Sequence, residues 1–148
     1  MRTVLLAALA VVALAAPASA AAPDLVPQFN TATGTVWVKN IGGAPAGASV
    51  VTIVCQRRRP PVAGGGGGCP EIPQKFVPNY SNPAFPNAVS VNVGVLAPGA
   101  VFSHTLPFFG GLVFPSGAYA FTVKADAGGS VPESNEVNNV IVRTKVVP

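Results

Sequence analysis

Apolar and polar residues alternate with a period of two along much of the chain. Every second residue of 89–95 is valine, and every second residue of 119–125 is an aromatic or aliphatic side chain. A period of two is typical of strands that bury one face. The pattern predicts seven strands, at 24–29, 33–41, 48–56, 88–96, 100–108, 117–126 and 138–147.

Glycine and proline, 16 of each, divide the chain into short pieces. Turn sequences such as Asn40-Ile41-Gly42-Gly43 and Ala97-Pro98-Gly99 separate the predicted strands. Helices of ordinary length therefore have no room. Seven short strands at this spacing predict an all-β, immunoglobulin-like antiparallel β-sandwich, with a small barrel as the alternative. Tyr119, near the start of the sixth strand, is either the corner tyrosine of such a sandwich or a simple core aromatic.

The first twenty residues have the pattern of a cleaved secretory signal. Arg2 precedes an unbroken apolar run over 4–16, and the small residues Ala18 and Ala20 follow it. The run is shorter than the roughly 20 apolar residues that a membrane span needs. We therefore predict a signal peptide over 1–20, one domain over 21–148, a secreted or periplasmic location, and no membrane span after cleavage.

Charged residues make up 9% of the chain, against about 25% in an average domain. This composition argues against a disordered chain, and the formal net charge of +4 argues against a nucleic-acid partner. Three of the basic residues are adjacent: Arg57, Arg58 and Arg59. They are interpreted either as a binding patch for phosphate, sulfate or an acidic glycan, or as a solvated loop.

The two cysteines, Cys55 and Cys69, are the only ones in the sequence. Export to an oxidising compartment favours a disulfide between them. The bridge would close a ring of 15 residues and contribute about 3 kcal/mol by the chain-entropy estimate. It would also connect a loop that contains the arginines and the glycines 64–68 to the third strand.

The proline-rich segment 70–87 predicts an irregular crossover, with a short strand near 74–78. Its aromatic side chains would cover a sheet edge or contact a ligand. Trp37 lies between Val36 and Val38 and therefore points to the opposite face of its strand. It is either exposed, where it could stack on a sugar or contact a protein, or covered by 57–87.

The last third of the chain carries a family resemblance. It contains a G-x-Y sequence, an alternating strand that ends in aspartate, and an E-x-N-E-x-N-N string, formed by Gly117, Tyr119, Asp126, Glu133, Asn135, Glu136, Asn138 and Asn139. Earlier parts agree: Pro23-Asp24-Leu25, Val36-x-Val38-x-Asn40-x-Gly42 and Leu96-x-Pro98-Gly99. This pattern resembles the CARDB-type domain, the cell-adhesion-related domain found in bacteria. The resemblance implies an immunoglobulin-like sandwich in exported or surface proteins, with no catalytic activity.

The acidic and amide side chains near the end of the chain are candidate calcium ligands, because Ca²⁺ prefers oxygen donors. The candidates are Asp126, Glu133, Asn135, Glu136 and Asn138. The alternative is structural, since such side chains often bond to nearby backbone groups and stabilise a turn. No other cofactor is expected.

The sequence offers little for catalysis. His104 is the only histidine and lies on the apolar side of a strand pattern, which favours a packed or hydrogen-bonded core residue. No nucleophile motif or phosphate loop is present in the sequence. We therefore predict a non-enzymatic binding or adhesion module of the bacterial cell envelope or extracellular space. Its partner would be an envelope protein or an acidic glycan, and the alternative is a purely structural or self-associating module.

Overall fold

The computed structural model describes residues 21–58 and 68–148, so the predicted leader and Arg59 lie outside the described part. The described residues form seven strands, and each overlaps one predicted strand. They are β1 (Leu25–Asn30), β2 (Thr35–Asn40), β3 (Ser49–Arg57), β4 (Val89–Val93), β5 (Val101–Thr105), β6 (Gly117–Lys124) and β7 (Val140–Val147). Within the described residues, no helix is long and apolar enough to cross a membrane.

The strands form two antiparallel sheets, in the order β1-β2-β5 and β4-β3-β6-β7. This arrangement of three and four strands confirms the predicted immunoglobulin-like sandwich. The edges β1 and β7 meet at one side of it. There, Arg143 donates to Gln28 Oε1 over 2.7 Å, and Lys145 Nζ donates to the carbonyl of Thr31 over 2.9 Å.

The core lies between the two sheets and is filled mainly by the buried apolar side chains of β1, β2, β3, β4 and β6. Val36 and Val38 are fully buried on one sheet, and Val51 and Val123 on the other. Tyr119 is also fully buried, and its hydroxyl donates to the carbonyl of Pro115 over 2.6 Å. This bond to the backbone just upstream is the one a corner tyrosine makes, so Tyr119 is both a core aromatic and a corner tyrosine.

The prediction of a strand near 74–78 is wrong, because this segment is helical. A 3₁₀ turn over Gln74–Phe76 leads directly into α1 (Val77–Tyr80). Pro78 lies in the first turn of α1, where its fixed φ suits a helix and its missing N–H is not needed. In a strand, the same proline would interrupt the hydrogen-bond ladder.

The crossover closes the side of the sandwich opposite β1 and β7, where β4 and β5 are the edge strands. Phe76 and Tyr80 are four residues apart and both pack on Phe108, with ring centroids 5.4 and 5.2 Å away. The hydroxyl of Tyr80 lies 2.9 Å from Nε2 of His104 on β5. The half-buried His104 is thus a hydrogen-bonded structural residue, and the aromatic residues of the crossover cover a sheet edge.

β2 ends in a buried polar residue, Asn40, which is fully excluded from solvent. Its Oδ1 accepts from the N–H groups of Asp24 and Gly42 over 3.1 and 3.0 Å. Its Nδ2 donates to the carbonyls of Ala44 and Leu96 over 2.8 and 3.0 Å. One side chain therefore joins the start of β1, the turn after β2 and the segment after β4. Sequence reasoning assigned Asn40 only to a turn and a family pattern.

Candidate functional site

The turn after β6 is organised by Asp126, which is 2% exposed and has a φ of +40°. Aspartate tolerates this left-handed conformation better than most residues. Its Oδ1 accepts from the N–H and the hydroxyl of Ser130 over 3.0 and 2.8 Å. Its Oδ2 accepts from the N–H of Val131 over 2.9 Å. Both carboxylate oxygens are thus used to hold the turn.

Glu133 connects this region to the first strand. One carboxylate oxygen accepts from the N–H of Leu25, and the other accepts from Nδ2 of Asn139 over 3.0 Å. Burial raises the pKa of Glu133 above its ordinary value of 4.5, and repulsion from Glu136 and Asp126 raises it further. The two hydrogen bonds lower the pKa, but by less than the other effects raise it. The ionised carboxylate therefore costs stability at neutral pH, and this cost disappears as the pH falls through the folded pKa.

Glu136 and Asn135 make local bonds. Glu136 accepts from the N–H of Glu133 over 3.0 Å and from Nδ2 of Asn139 over 3.2 Å. Asn135 accepts from the N–H of Val137 over 3.2 Å. These contacts are the ones expected of a structural turn, in which acidic and amide side chains bond to nearby backbone groups.

Asn138 makes a long-range contact that sequence reasoning did not assign. Its Nδ2 donates to Oδ1 of Asp24 over 2.8 Å. Asp24 was noted only as part of the family pattern, since nothing local in the sequence indicates that it meets residue 138. We call Asp24, Asp126, Glu133, Glu136, Asn138 and Asn139 the acidic brace, because together they tie the start of β1 to the segment before β7.

The fit of a metal ion to the acidic brace can be judged from its hydrogen bonds. Among the residues that the structure describes, no group of three or more His, Cys, Asp or Glu side chains could hold a metal ion. The carboxylates accept hydrogen bonds from the protein instead. The amide oxygens of Asn138 and Asn139 are buried without a partner among the described residues. The described side chains of the acidic brace are thus arranged to bond to one another and to the backbone.

The predicted disulfide is present. Cys55 and Cys69 are bonded, with their Cα atoms 6.0 Å apart. The bridge links the crossover to the end of β3. A cavity of about 540 Å³ lies beside it. Its walls are formed by the crossover, including Glu71 and Gln74, and by core side chains such as Phe108 and Phe121.

The three adjacent arginines do not share one environment. Arg57 is the last residue of β3 and not part of the loop, because the ladder with β6 continues to Tyr119. Its guanidinium donates to the carbonyl of Ser116 and lies 5.6 Å from the centre of the Tyr119 ring. Arg58 is exposed, and Arg59 lies outside the described residues. Arg57 therefore supports the fold at this end of the sandwich.

Trp37 lies at the middle of the outer face of the three-stranded sheet, where it is partly exposed. Its cross-strand partners are Gln28 on β1 and Ser103 on β5. Further along this face, the hydroxyls of Thr35 and Thr105 are 2.9 Å apart. We call this surface the Trp37 face: a single aromatic ring with hydrogen-bonding side chains on both sides.

Comparison with solved structures gives a match to the CARDB domain of a protein from Pyrococcus furiosus, which was crystallised in complex with di-metal ions. The match covers 87% of this chain and 96% of the other, with a TM-score of 0.54 and 19% sequence identity. Neither a family model nor a curated protein matches the sequence. The shared architecture agrees with the resemblance in the sequence, and the chain has the fold of a CARDB domain.

Proposed function

We propose that this protein is an exported, non-enzymatic binding module of the bacterial cell envelope or extracellular space, and that the Trp37 face is its ligand surface. The observation that carries this proposal is the position of Trp37, a partly exposed indole at the middle of a mostly polar sheet face. The leader pattern and the disulfide support export, since disulfides persist in oxidising compartments.

The chemistry of the Trp37 face suits a carbohydrate. An indole ring presents a flat apolar surface on which the C–H face of a sugar can stack. Neighbouring strands are about 4.8 Å apart, so Gln28 and Ser103 lie within reach of hydroxyl groups at the edges of a stacked ring. A few polar groups around one aromatic contact are a common composition for a specific binding site.

Replacing Trp37 with alanine tests this proposal. We expect the variant to bind polysaccharide about tenfold more weakly, because truncating a central aromatic residue typically removes a large share of the binding energy. Affinity electrophoresis in gels that contain dextran or polygalacturonate measures the change. Val142→Ala is the control, since Val142 is an exposed strand residue of the other sheet and should bind as the parent does. Undiminished binding by Trp37→Ala to a polysaccharide that the parent binds would contradict the proposal.

The calcium interpretation is supported by the oxygen-rich composition of Asp126, Glu133, Asn135, Glu136 and Asn138 and by the metal ions in the Pyrococcus furiosus structure. The hydrogen bonds of the acidic brace favour the structural interpretation instead. We therefore propose that the brace holds the turn without calcium, and that calcium leaves the melting temperature of chelator-treated protein unchanged. A rise on adding calcium would show a metal site.

The alternative function is a purely structural or self-associating module. It is supported by a stripe of exposed valines on β7, where Val140, Val142 and Val146 are 43%, 45% and 72% exposed. Such a stripe on an edge strand can pair or pack with another protein. A monomer in size-exclusion chromatography would remove the support for self-association.

A further inference from the structure

The Trp37 face carries positive charge and no carboxylate. Its outward positions on β1, β2 and β5 follow from the strand register; Lys39 is the charged residue among them, and the others are apolar or uncharged polar side chains. Lys39 is exposed on this face. Arg143 reaches it from the edge of the other sheet, where its guanidinium donates to Oε1 of Gln28 over 2.7 Å. Trp37 therefore has a cation along its own strand and another beside its cross-strand partner.

None of the five acidic residues of the chain lies within β1, β2 or β5. Asp126, Glu133 and Glu136 belong to the acidic brace, and Glu71 lines the cavity next to the crossover. Asp24, also of the acidic brace, precedes β1 with the same alternation as Val26, but its carboxylate is bonded to the side chains of Asn138 and Ser134 over 2.8 and 3.5 Å. The charge of the Trp37 face is thus complementary to an anionic ligand.

The distances on the sheet allow one sugar to use these groups together. Lys39 is two residues from Trp37 on the same strand, which corresponds to about 6.6 Å. Gln28, with Arg143 bonded to it, lies one strand away, at about 4.8 Å. A pyranose ring stacked on Trp37 would therefore place a carboxylate or sulfate substituent within reach of one cation. A planar guanidinium can bind either anion through two parallel hydrogen bonds.

We infer that the ligand of the Trp37 face is an anionic polysaccharide, with a sugar stacked on Trp37 and its acidic group bound by Lys39 or Arg143. This inference rests on the proposed function and adds the class of ligand. Carboxylated and sulfated sugars share the chemistry that these residues recognise, and the experiment separates the two.

The experiment compares binding to polygalacturonate, dextran sulfate and neutral dextran by affinity electrophoresis and titration calorimetry. The parent protein should bind at least one polyanion about tenfold more tightly than dextran, and about 1 M salt should remove this preference by screening. Lys39→Gln/Arg143→Gln should lose the preference and keep the parent's affinity for dextran. Lys39→Glu, at an exposed position that does not threaten folding, should weaken polyanion binding further.

The control variant Lys75→Gln/Lys124→Gln removes two exposed cations that lie away from the Trp37 face. It has the same net charge as Lys39→Gln/Arg143→Gln and should bind polyanions as the parent does. An equal loss in this control would overturn the inference, because it would show attraction by net charge alone. Equal binding of dextran and both polyanions, lost in Trp37→Ala, would overturn the inference and leave the proposed function standing. Binding of none of the three would contradict both.

Discussion

Replacing Asn40 with leucine is expected to lower the free energy of unfolding by about 4 kcal/mol. Leucine has the same branching and number of side-chain heavy atoms but cannot bond to the four backbone groups that Asn40 serves. Those N–H and C=O groups, from Asp24, Gly42, Ala44 and Leu96, would lose their partners in or near the core. Urea unfolding followed by far-ultraviolet circular dichroism measures the loss.

Asn30 provides a matched control for Asn40. Its Oδ1 accepts from the N–H groups of Ala32 and Thr33 over 2.8 and 3.3 Å in an exposed turn, where water can replace the side chain. Asn30→Ala should therefore cost less than about 1 kcal/mol. Similar losses in both variants would show that burial of Asn40 does not determine its contribution.

Asp126→Ala is expected to lower the free energy of unfolding by about 3 kcal/mol. The substitution removes three hydrogen bonds to a carboxylate, and it leaves the buried N–H of Val131 without an acceptor. It also places alanine at a φ of +40°, where a side chain without polar atoms gains no compensating local bond. The same unfolding experiment, run with and without calcium, measures the effect.

Asp126→Asn separates hydrogen bonding from charge at the same position. The amide keeps one oxygen for Ser130 but turns an NH₂ group towards the N–H of Val131, so the variant should lose about 2 kcal/mol. A loss in Asp126→Ala that appears only when calcium is present would contradict the structural role assigned to the acidic brace.

Most strands were predictable from the sequence because they bury one face, whereas the alternating valines of β7 face the solvent. Val36 and Val38 on β2, like Phe121 and Val123 on β6, are buried and separated by one residue, so their burial appears in the sequence as a period of two. The helical segment at 74–80 was not predictable from the same pattern. It is too short to show helical periodicity, and Pro78 is compatible with a turn, a strand end or a first helical turn.

The site residues were predictable only where their partners are close in sequence. Asp126, with partners at 130 and 131, has a local signature of the kind that turn-forming residues show. Asn40 bonds to Leu96, which is 56 positions away, and Asp24 bonds to Asn138, which is 114 positions away. Only the folded topology brings these pairs together. The sequence predicts Arg57 in a loop, because the apolar run of β3 ends before the polar residue Gln56. Pairing with β6 extends the strand to Arg57.

The acidic brace has a consequence for when folding can be completed. Leu25 and Asp24, near one end of the described chain, are fastened by Glu133 and Asn138, 108 and 114 residues later. Contacts of such high sequence separation form late, because a long loop must close first. If the exported chain crosses the membrane unfolded, the brace can fasten the first strand only after residue 138 has emerged. The position of the brace would thus make the fastening of the first strand one of the last steps of folding.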